Sequence, residues 1–298
     1  MLRTARHSPA EKWKPKQCVP VNPSVFLEVA GNASQQIARH VVGFLGPFPP
    51  GSVIHDNACG TGVVSKEVMR VASPEVYGGQ GITIHATDLS EAMVADCRTL
   101  AVEKGWDAPP TQLISQVMAM QDLTFPDKTF THSIMNLAIF GMDQEDAAKA
   151  ATHVYRTLQD AGVAVITVWG EAATANAVQE AHQETRSTMT VLPLFSRAYW
   201  KYHSHIRNVL TRAGFSDDRI TITKRSVDIE VEDMDRWSNV MWTLIGKPNE
   251  GWQEGDEELW DMATARVREH CRQSKDFHTT TDGASRIRNW VNIIVARK

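Results

Sequence analysis

The first organised pattern lies over residues 33–45, where Ile37, Val41, Val42 and Leu45 share one helical face before "GPFPPGS" ends the element. Beyond it the period alternates. Apolar, β-branched runs at 53–55, 82–87, 112–118, 130–136 and 163–169 predict strands, and the 3.6-residue pattern at 63–72, 90–104 and 144–159 predicts the helices between them. Strands alternating with helices imply an α/β fold whose parallel sheet is built by right-handed crossovers.

The pattern changes after residue 170. Segments 171–200 and 232–285 read as polar helices, broken by β-rich runs at 219–231 and 288–297 that are expected to pair as an antiparallel hairpin at the sheet edge. The Pro-, Lys- and Arg-rich start has no periodicity and reads as a mobile or wrapping arm. The expected division is an N-terminal arm over 1–32, a core over 33–170, and helical cap elements interleaved with the final strands over 171–298.

Composition narrows the function. At 298 residues and 42% apolar content the chain can bury a substantial core, while a net charge of −4 with scattered Lys and Arg argues against a nucleic-acid partner. No apolar run approaches the ~18 residues of a membrane span, so a soluble protein without a membrane partner is expected. The four cysteines, Cys18, Cys59, Cys97 and Cys271, have neither zinc-site nor disulfide-framework spacing; no metal is expected, and a reducing cytoplasm fits.

The chemistry gathers in "HDNACGTGVVSKEVM", a strand, a tight turn and a helix. Ligands of open α/β sheets bind beyond the carboxyl ends of the strands, where the first turn needs glycine for close backbone approach. Gly60 and Gly62 supply it. "ITIHATDLSEAMV" places Asp88 at the end of the next strand, where an acidic residue accepts a ribose hydroxyl pair. Asp56, Gly60, Gly62 and Asp88 together point to a nucleoside-bearing cofactor. The third position of a dinucleotide glycine motif is occupied by Ser65.

"IHDNACGTGVVS", "ATDLSEAMVADCR" and "FPDKTFTHSIMNLAIFGM", in that order, resemble the consecutive motifs of class I S-adenosyl-L-methionine (SAM)-dependent methyltransferases. The likeness covers about 50–170 and the terminal "ARK" strand. Within that class, "DNACGTG" and "EKGWDAP" are similar to fungal small-molecule methyltransferases, the gliotoxin-type thiomethyltransferases among them. The resemblance implies a Rossmann-like fold with a mostly parallel seven-stranded sheet and a helical cap. It assigns Asp56, Asn57, Ala58, Gly60 and Gly62 to the methionine end of SAM and Asp88 to its ribose. Leu89 and Met93 would flank the adenine, Met120 and Gln121 would meet its edge, and Asn136 and Leu137 would line the passage of the methyl group. Ala58 and Ala119 depart from the family pattern, which has glycine at the first position and often Asp at the second.

Methyl transfer from a sulfonium is an in-line displacement, in which the protein aligns an acceptor and excludes water. A hydroxyl acceptor needs a base; a thiolate barely does. His182, His203 and His205, assigned to the cap, are the candidate bases, with surface or hydrogen-bonded histidine as the alternative reading. His55, His85 and His132, on predicted strands, read as structural. Trp169, ending the fifth strand, is a candidate to touch acceptor or cofactor. Trp200, Trp237 and Trp242 are candidates to line an apolar pocket or to pack cap on core, and Phe26 with the arm is a candidate cover for the SAM site. The expected activity is methylation of a small, aromatic or apolar secondary metabolite by a monomer or homodimer. A SAM-fold protein that no longer methylates, acting as a cyclase or binding module, and an NAD(P)-dependent oxidoreductase are the alternatives.

Overall fold

The computed structural model describes residues 13–30, 32–72, 81–193, 195–281 and 284–298. In chain order the first elements are α1 (Pro23–Ala30), α2 (Ala33–Leu45), β1 (Val53–Asn57), α3 (Val63–Val71), β2 (Thr83–Asp88), α4 (Glu91–Glu103), β3 (Gln112–Val117), β4 (Phe130–Asn136) and α5 (Gln144–Thr157). There follow β5 (Leu158–Ala172), α6 (Ala173–Thr185), α7 (His203–Ala213), β6 (Ile220–Val231), α8 (Met234–Ile245), α9 (Glu254–Gln273), β7 (Phe277–Thr279) and β8 (Ser285–Arg297). The chain forms two compact units. A sheet unit holds Ala30–Ala172, Arg197–Glu230 and Arg288–Lys298; a helical unit holds Met1–Val29, Ala173–Ser196 and Val231–Ile287.

In the sheet unit the strands run β3-β2-β1-β4-β5-β8-β6, with β1 to β5 parallel and β8 antiparallel to β5. Strand order reverses between β1 and β4, which opens a crevice beyond their carboxyl ends. Local sequence starts the flanking helices: Ser90 caps α4 by accepting Met93 N–H at 3.4 Å, and Asp143 caps α5 by accepting Asp146 N–H at 2.8 Å. The alanine-rich face of α5 (Ala147, Ala150, Ala151, Val154) joins Ile206, Val209 and Leu210 of α7 in one core that also takes Phe130, Met135, Val168 and Ile294.

Three expectations change. The runs 219–231 and 288–297 become neighbours at the sheet edge, yet not a hairpin, because α8, α9 and β7 intervene in the chain. The helix expected to reach 159 stops at Thr157, since Leu158 already pairs with Phe130 of β4 and is buried in the core. The segment 171–200 does not belong wholly to the cap. The chain leaves the helical unit at Ser196, and Trp200, His203 and His205 belong to the sheet unit, where the apolar face of α7 finds α5.

In the helical unit α6 packs on α9 and α8 packs on α9. Trp242, Trp252 and Trp260 form a chain of rings with centroids 6.3 and 5.3 Å apart, and the Arg186 guanidinium lies 4.6 Å above Trp242 while pairing with Asp256 at 2.8 Å. Trp237 is buried and donates to Val29 O. Trp237 and Trp242 are therefore interior packing residues of this unit. The described part of the N-terminal arm is fastened here: Lys16 pairs with Glu257 at 2.8 Å and Gln17 donates to the Glu257 carbonyl. Residues 1–12 and the side chain of Phe26 lie outside the described residues. No helix among the described residues is long and apolar enough to cross a membrane.

Candidate cofactor site

The site is built on the turn after β1. Ala58, Gly60 and Gly62 adopt left-handed backbone conformations, with φ of 61°, 54° and 83°. The two glycines meet different demands. A Cβ on Gly62 would stand 2.9 Å from Cys97 Sγ and 3.1 Å from Leu100 Cδ2, whereas one on Gly60 would meet nothing within 4 Å. Gly62 is required by packing as well as by φ; Gly60 is required by φ and leaves the turn open to close approach.

Asp56 and Ser65 hold the turn from below. Asp56 Oδ2 accepts Ser65 N–H at 3.0 Å and Ser65 Oγ–H at 2.6 Å, tying the end of β1 to the first turn of α3. Burial pushes the Asp56 carboxyl from its ordinary 3.8 up to about 6, against the two bonds from Ser65 and with help from the Asp88 charge. Asp56 Oδ1 is buried without a hydrogen bond among the described residues.

Asp88 faces the turn from β2. Its Oδ2 accepts Gly60 N–H and its Oδ1 accepts Ser90 N–H, both at 2.9 Å. On the other side, at the end of β4, Thr167 Oγ1 donates to Asn136 Oδ1 at 2.7 Å and accepts Leu137 N–H at 2.8 Å, holding Leu137 at a φ of 53°. The strand register sets Asn57 opposite Thr87 of β2 and Met135 of β4, so Asp56, Asn57, Asp88 and Asn136 share one carboxyl edge.

Asn57 is fully buried, yet neither its Oδ1 nor its Nδ2 has a partner among the described residues. Buried amides left unpaired are costly and uncommon in native folds. A ligand carrying both donors and acceptors, as an amino-carboxylate does, satisfies Asn57 and Asp56 Oδ1 together, so the residues present fit the methionine end of SAM.

Leu89 is 72% exposed and Met93 is half-buried on α4. Met118 N–H donates to Asp88 O at 2.9 Å, which ties the following loop, with half-buried Met120 and Gln121, to the end of β2; Met120 also packs on the core.

The catalytic candidates separate. His182 is 2% exposed; its Nε2 meets Thr190 Oγ1 at 3.2 Å and its Nδ1 accepts from Arg186 at 2.7 Å. Burial and the Arg186 charge lower its pKa. With both ring nitrogens engaged inside the helical unit, His182 is a structural histidine rather than a base. His203 is exposed at the first residue of α7. His205, two residues on, sets its ring edge-to-face against Tyr199 and Trp200 at 4.5 and 4.7 Å, and its Nε2 is buried without a partner among the described residues. Trp169 is half-buried in β5 opposite Val291. Trp200, 3% exposed, is a core residue and not pocket lining. His55, stacked on Phe130 at 4.6 Å and bonded to Thr87, is held neutral by burial, its pKa lowered to about 3.

Ser65, Thr167 and Cys97 carry roles the motifs did not assign. Ser65 had a signal, its place in the glycine spacing; Thr167 and Cys97 are brought to the site by strand register and helix packing. Among the described residues no group of His, Cys, Asp and Glu is arranged to hold a metal.

This sheet order, with a left-handed glycine turn facing an acid at the end of β2, is that of a Rossmann-like methyltransferase fold. Residues 54–162 match the family described as a methyltransferase domain. The chain is 26% identical over 200 residues to methyltransferase ktnA of Aspergillus niger, a match covering 61% of this chain and 65% of that one. It is 31% identical over 117 residues to the acetylaranotin bis-thiomethyltransferase of Aspergillus terreus, covering 39% of this chain and 35% of that one. The chain thus spans less than two thirds of the length of either relative. Its fold is similar to that of Haemonchus contortus phosphoethanolamine N-methyltransferase 2, solved in complex with SAM, with a TM-score of 0.53 at 15% identity over 93% of this chain and 56% of that one.

Proposed function

We propose that this chain is a SAM-dependent methyltransferase that transfers a methyl group in line to an oxygen, sulfur or nitrogen atom of a small, apolar or aromatic secondary metabolite. The observation that carries the reading is the amide of Asn57, without a partner among the described residues and buried beside a glycine turn that is itself bonded to Asp88. When bound, SAM supplies a methyl group activated by its sulfonium. The chain's own residues bind and align it: Asp56, Asn57 and the Ala58–Gly62 turn at the amino-carboxylate, Asp88 at the ribose, Leu89 and Met93 beside the adenine, Met120 and Gln121 at its edge, and Asn136 with Leu137 along the methyl path. For a hydroxyl acceptor, His205 is the candidate base, because burial lowers its pKa and its Nε2 has no partner among the described residues. Trp169 contributes acceptor contact in this reading. The bis-thiomethyltransferase relative supports a small-molecule acceptor. A cytoplasmic setting, as a monomer or homodimer without a nucleic-acid partner, belongs to the same proposal and is supported by the net charge of −4 and four free cysteines.

Calorimetry tests the cofactor and labelled methyl transfer tests the reaction. SAM and S-adenosylhomocysteine (SAH) are expected to bind in 1:1 ratio, far more tightly than NADH. Tighter NADH binding overturns the reading in favour of an oxidoreductase. Tight SAM binding without label transfer to any metabolite of the source organism overturns the reaction and favours the non-methylating alternative.

A further inference from the structure

The end of β4 carries a fixed hydrogen-bond direction. Thr167 is fully buried and stands opposite Asn136 in the parallel register of β4 and β5. Its Oγ1 accepts Leu137 N–H at 2.8 Å, and its one proton goes to Asn136 Oδ1 at 2.7 Å. A reversed amide would aim two donors at the hydroxyl and leave its proton without an acceptor inside the fold, which native structures avoid. The orientation of Asn136 follows, with Oδ1 turned to Thr167 and Nδ2 turned away from it. Asn136 is half-buried, and its Nδ2 has no partner among the described residues.

Side chains alternate between the two faces of a strand. Asp56 pairs with Ala86 of β2 and with Ile134 of β4, which puts Asp56, Asp88, Asn136 and Thr167 on one face of the sheet. Leu137 follows at a φ of 53°, a conformation costly for a residue with a Cβ, and its bond to Thr167 holds the chain there. The strained residue and the fixed amide thus depend on a single hydroxyl.

We propose that Thr167 is a positioning residue that locks Asn136 as a hydrogen-bond donor beside the methyl path, and that the atom methylated is in consequence an oxygen or sulfur and not a nitrogen. The assignment rests on the reading that Asn136 lines that path. An attacking atom must aim one lone pair at the methyl carbon. A neutral amine nitrogen has no other, so its N–H groups would meet Nδ2 as donor against donor. A deprotonated hydroxyl or thiol keeps further lone pairs, which accept from Nδ2 while the first attacks. That first pair forms the bond to the methyl carbon, and the carbon–sulfur bond breaks with its electron pair left on sulfur. The negative charge of the acceptor and the positive charge of the sulfonium cancel. No proton moves in this step, because the acceptor's own proton has left beforehand to water.

The full-length chain, supplied with methyl-labelled SAM and metabolites of the source organism, is expected to give a product whose label NMR locates on oxygen or sulfur. A label on nitrogen overturns the proposal. Variants read the lock itself. In a chain with isotope-labelled asparagine, Thr167→Val is expected to shift the Asn136 side-chain amide signals and to lower kcat about tenfold or more, with SAH affinity kept within about threefold. Thr167→Ser should restore both signals and turnover. Asn136→Asp, which sets an oxygen where Nδ2 stands without touching the core, should lower kcat about a hundredfold or more at similar SAH affinity. A valine variant matching the wild type within about twofold in turnover with unshifted amide signals, a serine variant no better than valine, or an aspartate variant within about tenfold of wild type overturns the proposal. If the amide signals respond to Thr167 but no metabolite takes up label, the lock stands, and the transfer reading falls together with the acceptor assignment built on it.

Discussion

The backbone N–H of Gly60 donates to Asp88 Oδ2 at 2.9 Å, joining the turn after β1 to the acidic end of β2. Asp88 thus organises the turn in addition to the ribose contact proposed for it. Replacing Asp88 with Ala removes a charge-assisted acceptor and strands two backbone donors, Gly60 and Ser90. SAH binding is expected to weaken by about 1.5–3 kcal/mol. Unchanged affinity by calorimetry would sink the assignment of Asp88.

Ala58 sits at a φ of 61°, where a Cβ is strained by about 1–2 kcal/mol. Glycine relieves that strain but adds chain entropy to the unfolded state. Ala58→Gly is therefore expected to stabilise by about 0.5–1 kcal/mol net in urea denaturation. A loss of stability would mean that the Ala58 methyl packs more favourably than the backbone strain costs.

The buried Asp56 carboxyl titrates near 6 in the folded chain against an ordinary 3.8. Between these values the folded state holds a proton that the unfolded state releases. The stability from this group is complete below 3.8 and is lost as pH rises through 6. Stability measured for the wild-type chain, less that of Asp56→Asn, should fall by about 2 kcal/mol between pH 4.5 and 7. A difference independent of pH would show that Asp56 is not held protonated by burial.

Trp200 and Trp169 should behave oppositely. Trp200 is 3% exposed among Val168, Ile206 and Leu210, so Trp200→Ala is expected to cost about 3–5 kcal/mol of stability and to depress SAH binding and turnover together through lost folded protein. Trp169, half-buried on β5, should lose acceptor turnover or raise KM on change to Ala, with SAH affinity kept within a few-fold. Paired thermal melts and titrations decide; equal losses in both variants would remove Trp169 from the acceptor contact.

By itself the sequence determined the alternation of strands and helices, the glycine turn and the acidic strand end. Each is a local consequence of hydrophobic period, of backbone freedom at Gly60 and Gly62, and of a short loop after a strand. Those signals lie within a few residues of one another, so no long-range contact is needed to read them. Only the tertiary structure decided which residues meet. His182 looked like a free base until Arg186 and Thr190 took both its ring nitrogens, and Trp200 looked like a cap residue until the apolar face of α7 turned onto α5. Thr167 reaches Asn136, and Cys97 reaches Gly62 of the turn, through strand register and helix packing across 31 and 35 positions of sequence respectively. Pairings over such distances are selected by burial of the whole core, a sum over many residues that no local pattern encodes.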